Sequence, residues 1–191
     1  MGRINRVKAT AAALVSALAV GGTGVSMAQG GISANLALSG TIFKISMDRL
    51  DGSNFNLFVI GDQVGDSQIP VSRLTFSHAE IADLCLSAKL PGIPGIGDVT
   101  FLMRAPGENA ADAENLVVGA TSILGDLSLT EPQIGADVNQ VNPDAPVSTW
   151  GIVAPEVEVK AQDVQASSIG ADKLNARGVT VNVERGVDGG C

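Results

Sequence analysis

Residues 36–60 read LALSGTIFKISMDRLDGSNFNLFVI, and their spacing decides the fold class. Apolar side chains recur at alternate positions: Leu36 and Leu38, then Phe43, Ile45 and Met47, then Phe55, Leu57 and Val59. A strand points successive side chains to opposite faces, so this alternation predicts half-buried β-strands. Asp51, Gly52, Ser53 and Asn54 lie between the second and third runs. They suit a tight reversal, because Gly accepts positive φ and Asp and Asn bond their own backbone. A hairpin over residues 41–60 is the expectation.

The pattern continues downstream. Gly61, Asp62, Gly65, Asp66 and Pro70 read as a loop, and Val71, Leu74 and Phe76 as a new ordered stretch. Ser77, His78, Ala79 and Glu80 have the spacing of a helix capping box, with Ile81, Leu84 and Cys85 following on one face. A short helix is expected there. Pro91, Pro94 and three glycines make residues 90–98 a connector. Val99, Phe101 and Met103, then Leu116, Val118, Ile123, Leu127 and Leu129, resume the β pattern. Trp150 sits in a looser stretch framed by Pro143, Pro146 and Pro155, where it reads as a core plug or an interface anchor.

The C-terminal third carries a five-residue spacing: Ala161, Ala166, Ala171 and Ala176, with Val164, Ile169, Leu174 and Val179 between them. Five residues of helix advance the side chain by about 140° and would scatter these residues over every face. Short extended pieces with a bend after each fit better, as in the coils of a β-solenoid. The fold class expected is therefore mostly β: a single domain of short strands, solenoid-like or sandwich-like, after an N-terminal signal segment. With 191 residues and that segment to subtract, one core is the working assumption.

The first residues carry Arg3, Arg6 and Lys8, followed by an uncharged Ala/Leu/Val run over residues 9–20. These are the n-region and h-region of a secretory signal. Ser26 and Ala28 offer small residues for cleavage after Ala28, which divides the chain into a signal peptide at 1–28 and an acidic, β-rich extracellular domain at 29–191. An uncleaved anchor is the rival reading, since no charge occurs between Lys8 and Lys44, although glycines and serines dilute the second half of that span. Secretion or display at the cell surface follows in either case.

Of 12 basic residues, cleavage removes Arg3, Arg6 and Lys8, leaving nine against 20 acidic ones and a formal charge of −11. Such a domain repels phosphate backbones, so no nucleic-acid partner is expected. The two cysteines, Cys85 and Cys191, would pair as one disulfide in an oxidising compartment. Intermolecular pairing through the terminal Cys191 is the alternative.

The chemical inventory is thin. Gly65, Asp66 and Ser67 look like the start of the block around the nucleophilic serine of small GDSL-type esterases. A serine nucleophile needs a base beside it, and His78 is the only histidine, with Glu80 or Asp83 to orient it. There is no Cys/His cluster for zinc and no Asp-rich calcium loop; Asp48 with Asp51, or Asp62 with Asp66, are acidic turn residues. No cofactor or metal is expected.

Six strings carry a resemblance: Met27 to Gly30; Leu38 to Gly40 with Phe43 and Lys44; Leu84 and Cys85; Ala113 to Leu116; Gly125 and Asp126; Ile134 to Asp137. Through them the chain resembles a family of small secreted actinobacterial proteins of unknown function, often loosely labelled cholesterol esterase. The resemblance implies export to an actinobacterial envelope. Taken at its word, the label implies hydrolysis of a sterol or lipid ester, with Ser67 and His78 as the catalytic candidates.

Two functions are in contention. The first is a non-enzymatic envelope or surface protein that binds a lipid or sterol-like ligand or assembles with an envelope or membrane partner, in keeping with a mean hydropathy of +0.27. The second is a secreted carboxylic ester hydrolase.

Overall fold

The computed structural model describes residues 41–186 and 190–191. The signal segment, its cleavage point and Leu36 and Leu38 lie outside the described residues. Nine strands form one antiparallel sheet: β1 (Phe43–Val64), β2 (Ser67–Ala82), β3 (Leu84–Ile93), β4 (Gly97–Ala105), β5 (Ala111–Thr130), β6 (Gln133–Asp137), β7 (Trp150–Gly170), β8 (Lys173–Ala176) and β9 (Thr180–Arg185). The only helical turn among the described residues is a 3-10 turn at Val138–Gln140.

Four strands are long: β1 has 22 residues, β2 16, β5 20 and β7 21. They are not the short strands expected, and their length lets them close on one another. Leu50 of β1 lies opposite Ile81 of β2 on one edge and Val159 of β7 on the other. Leu74 of β2 lies between Leu57 of β1 and Val118 of β5, and Val118 lies between Leu74 and Ile169 of β7. The ladders β1–β2, β2–β5, β5–β7 and β7–β1 therefore form a ring. Closure satisfies both hydrogen-bonding edges of each strand around the core.

The ring is filled by side chains. Ile45, Leu50 and Phe55 from β1, Leu74 and Phe76 from β2, Leu116 from β5, and Val157, Val159, Val164 and Ala166 from β7 form its buried centre. Phe55 is fully buried and its ring centroid lies 5.3 Å from that of Phe76. Each large apolar side chain so buried contributes roughly 1.5–3 kcal/mol. A smaller cluster of Phe58, Val138, Ala145 and Val153 lies on the other face of β1 and β7, beneath the β6–β7 connection.

The structure corrects several local expectations. Residues 51–54 do not reverse the chain; β1 runs straight through them, with Asn54 at φ 50°. Gly52 is instead the seat of an aromatic ring, because a Cβ there would stand 2.5 Å from Phe76 Cδ1. The reversal comes at Gly65–Asp66, where Val64 pairs with Ser67 and Gly65 has φ 59°. A glycine at the first position of a two-residue hairpin matches the twist of the strands it joins. Residues 77–80 extend β2 rather than starting a helix, since Ala79 and Ile81 fill the core from a strand paired on both edges. Residues 90–93 and 97–98 belong to β3 and β4, with a register shift between Leu90 and Ile93 that absorbs Pro91 and Gly92.

The solenoid reading is also overturned, because every ladder is antiparallel and no coils stack. The five-residue step from Ala161 to Ala166 has another cause. Opposite β1, Ile45 faces Val164 and Met47 faces Ala161, so β7 carries one extra residue between them. That bulge turns an odd spacing back onto the same face, and Ala161, Val164 and Ala166 are all buried. Further along the register fails: Leu174 and Val179 are exposed. A similar extra residue between Met47 and Leu50 shifts β1, and the kink at Asn54 follows it. Val59, on the same face as Phe55 and Leu57, lies beyond the core and is 55% exposed, while Phe58 is buried in the second cluster on the other face of β1. Trp150 is no core plug either, being 59% exposed at the start of β7.

Cys85 of β3 is bonded to Cys191, across a sequence separation of 106 residues. The pairing expected from compartment is thus intramolecular, and it ties the C-terminus to the outer face of β3. Gly186 N donates to Asp98 O at 2.8 Å, Thr100 Oγ1 donates to Gly186 O at 2.9 Å, and Cys191 N donates to Ser87 Oγ at 3.2 Å.

Two outcomes test this account. In the chain-entropy model, reducing the disulfide lowers unfolding free energy by about 4–5 kcal/mol, measured by urea denaturation with and without reductant. At Gly125 a Cβ would overlap the Lys160 carbonyl oxygen at the bulge. Gly125→Ala should therefore destabilise by about 2–3 kcal/mol in the same assay, whereas Gly95→Ala, with nothing nearby, should lose less than half as much.

Candidate functional site

Ser67 and His78 both lie on β2, Ser67 as its first residue at the hairpin tip and His78 opposite Ser53 and Glu114. Eleven residues of extended chain separate them by about 35 Å. A base activates a serine only from hydrogen-bond reach, so the structure does not bring these two together. His78 Nε2 lies 3.5 Å from Glu80 Oε1, two residues along the same face, and both side chains are about half exposed. Asp83, the other carboxylate considered for orienting it, accepts from Gly107 N at 2.7 Å and pins the turn after β4.

The acidic pairs also separate. Asp51 bonds Arg49 at 2.9 Å on the surface. Asp62 belongs to a partly buried polar cluster that sequence reasoning missed. Its Oδ2 accepts from Ser167 Oγ at 3.1 Å and Ser168 Oγ at 3.3 Å, and Arg73 Nη2 lies 3.7 Å away. Ser167 Oγ lies 3.2 Å from Gly119 O as well, so one cluster joins β1, β2, β5 and β7 where the ring closes. Its members are dispersed over more than a hundred positions, and only the two adjacent serines hint at it. The group holds no imidazole or thiol, and its hydroxyls are spent on a carboxylate. It acts as a polar lock between strands.

Gly119 makes room for the lock, since a Cβ there would stand 2.5 Å from Ser168 Oγ and 2.9 Å from Ser167 Oγ.

Beside the disulfide lies an open groove of about 490 Å³, lined by Lys44, Ser87, Lys89, Asp163, Gln165 and Cys191 among others. Lys44 Nζ and Asp163 Oδ2 are 3.1 Å apart within it. The groove is polar and shallow, a poor match to an acyl chain. Among the described residues no group of three or more His, Cys, Asp or Glu side chains is placed to hold a metal ion.

The opposite face of the same strands has a different character. Cross-strand registers place Phe43, Ala88, Phe101 and Val183 in one row, and Ile45, Leu86, Met103 and Val181 in the next. Both rows begin in the core. Ile45 is 2% exposed, Leu86 and Met103 are half-buried, and Val181 and Val183 are 54% and 65% exposed. The core's apolar surface thus runs out along β3, β4 and β9 into solvent, with two aromatic rings, a thioether and two branched valines on it. Such a face offers dispersion contacts to an apolar ligand and no hydrogen bonds to a polar one.

If the polar lock holds the ring closed, Gly119→Ala and Asp62→Ala should each cost about 1–3 kcal/mol. The doubly substituted Gly119→Ala/Asp62→Ala protein should lose clearly less than their sum, because the alanine no longer displaces a bonded carboxylate. Full additivity in urea denaturation would show that the two do not act on one cluster.

No curated protein and no solved structure matches the chain. A family model does, over residues 39–191, which include all nine strands, the polar lock and both cysteines. The chain belongs to the family of unknown function DUF6230.

Proposed function

We propose that this protein is an exported, non-enzymatic protein of an actinobacterial cell envelope or surface that binds an apolar ligand, an acyl chain or sterol-like molecule, on the face shared by β1, β3, β4 and β9. The observation that carries this reading is the pair of apolar rows leading from buried Ile45 to exposed Val181 and Val183. Leaving such a face in water forgoes roughly 25 cal/mol per Å² of stabilisation, which a ligand of matching polarity recovers. The N-terminal signal pattern supports export, and the disulfide is of the kind that persists in an oxidising compartment. The resemblance to secreted proteins labelled as cholesterol esterases points to the same class of ligand. The separation of Ser67 from His78 weighs against the hydrolase alternative.

Lipid extraction of the protein purified from its native host, followed by mass spectrometry, should recover a sterol or acyl lipid in near-stoichiometric amount. Val181→Asp/Val183→Asp should lower that yield at least tenfold with an unchanged far-UV circular dichroism spectrum. Recovery of no lipid, or equal recovery from the variant, would sink the reading. Hydrolysis of short and long acyl esters that disappears in Ser67→Ala or His78→Ala would favour the esterase instead.

A further inference from the structure

The second half of β5 leaves the ring. Pairing with β2 ends at Ala120, and beyond it residues 121–130 pair with β7 along one edge only; no described strand occupies the other. Residues 121–128 are exposed throughout, with Ile123 at 39%, Leu124 at 61% and Leu127 at 46%. This ten-residue edge carries one charge, Asp126, and no proline or lysine, the residues that ordinarily block strand addition. Asp126 lies opposite Lys160 of its own β7, whose Nζ is 3.2 Å from Glu158 Oε1.

We propose that this edge pairs with the same edge of a second copy of the chain, antiparallel about a two-fold axis at Gly125. The register follows from parity, length and charge. Ile123, Gly125, Leu127 and Leu129 lie opposite Val164, Ala161, Val159 and Val157, so they share the apolar face of β7. Keeping that face continuous requires odd residues to oppose odd residues. The free stretch runs from the end of the β2 ladder to Glu131, whose φ of 47° breaks the strand. Two axes centre on it, one at Gly125 and one at Asp126. The second sets Asp126 against Asp126 of the other copy, and like charges directly opposite are disfavoured. The first sets Ile123 against Leu127, Gly125 against Gly125 and Leu124 against Asp126 of the other copy. In a chain with formal charge −8, residues 121–130 themselves carry a single charge, which limits direct repulsion across the pairing. The pairing extends the sheet without involving β9, so it is independent of the ligand reading above.

Sedimentation velocity of the secreted protein over a wide concentration range tests the pairing. The wild-type chain should form a discrete dimer, and Leu127→Lys, which places an ammonium against Ile123 of the second copy, should be monomeric with a native circular dichroism spectrum. Charge at position 124 should act with opposite signs. Leu124→Lys faces Asp126 of the second copy and should tighten the dimer about tenfold, while Leu124→Asp should loosen it about tenfold, because the axis makes each change act twice. Leu124→Cys/Asp126→Cys should give a covalent dimer on oxidation, independently of whether the lysine variant folds. A wild-type monomer at every concentration overturns the proposal. So do species that grow beyond the dimer, a dimer unaffected by Leu127→Lys, or charge changes at 124 that shift the dimer in the same direction.

Discussion

Both edges of a strand must find partners, and that requirement organises this protein. A flat antiparallel sheet of the same length would leave two full rows of backbone donors and acceptors unpaired. Here β7 returns to pair with β1 as well as β5, and the four long strands satisfy one another around a common core. The apolar residues of that core are drawn from Ile45 to Ala166, so strands far apart in sequence share one interior. The Asp62 cluster sits at the junction of all four strands and fixes where they meet.

Closing so few strands demands strong local curvature, and the chain supplies it with bulges and glycines rather than with turns. The extra residue in β7 near Gln162 and the one in β1 between Met47 and Leu50 bend their strands and shift the inward face. Gly125 permits β5 to approach the bulged β7 backbone, and Gly52 admits the Phe76 ring. Gly119 does the same for the polar lock. These glycines are contact points between strands, which is why substituting them acts on the fold rather than on a loop.

Outside the ring the sheet is only partly covered. The β3–β4–β9 extension is backed on its outer face by the disulfide-bonded C-terminus, while its inner face carries apolar side chains into solvent. The far end of β5 presents a second apolar stretch, paired along one edge only.

The sequence by itself determined what depends on composition and on neighbours along the chain. Alternation in residues 43–47 and 99–103 specified strands, the absence of helical periodicity in the last third argued against a helix there, and two cysteines allowed a single bridge. Tertiary structure decided everything that depends on which strand lies beside which. Alternation cannot reveal a bulge, so in a five-residue rhythm that suggested a solenoid the step from Ala161 to Ala166 proved to be a strand with one extra residue, while the later steps leave β7 for β8 and the turns beside it. The capping-box spacing at residues 77–80 gave way to pairing on two edges, because long-range ladders outweigh a local helix signal worth about 1 kcal/mol. Ser67 and His78 are near in sequence and far apart in space for the same reason that Asp62 and Ser167 are far in sequence and bonded in space: an extended strand spends its length on distance, and only its partners bring residues together.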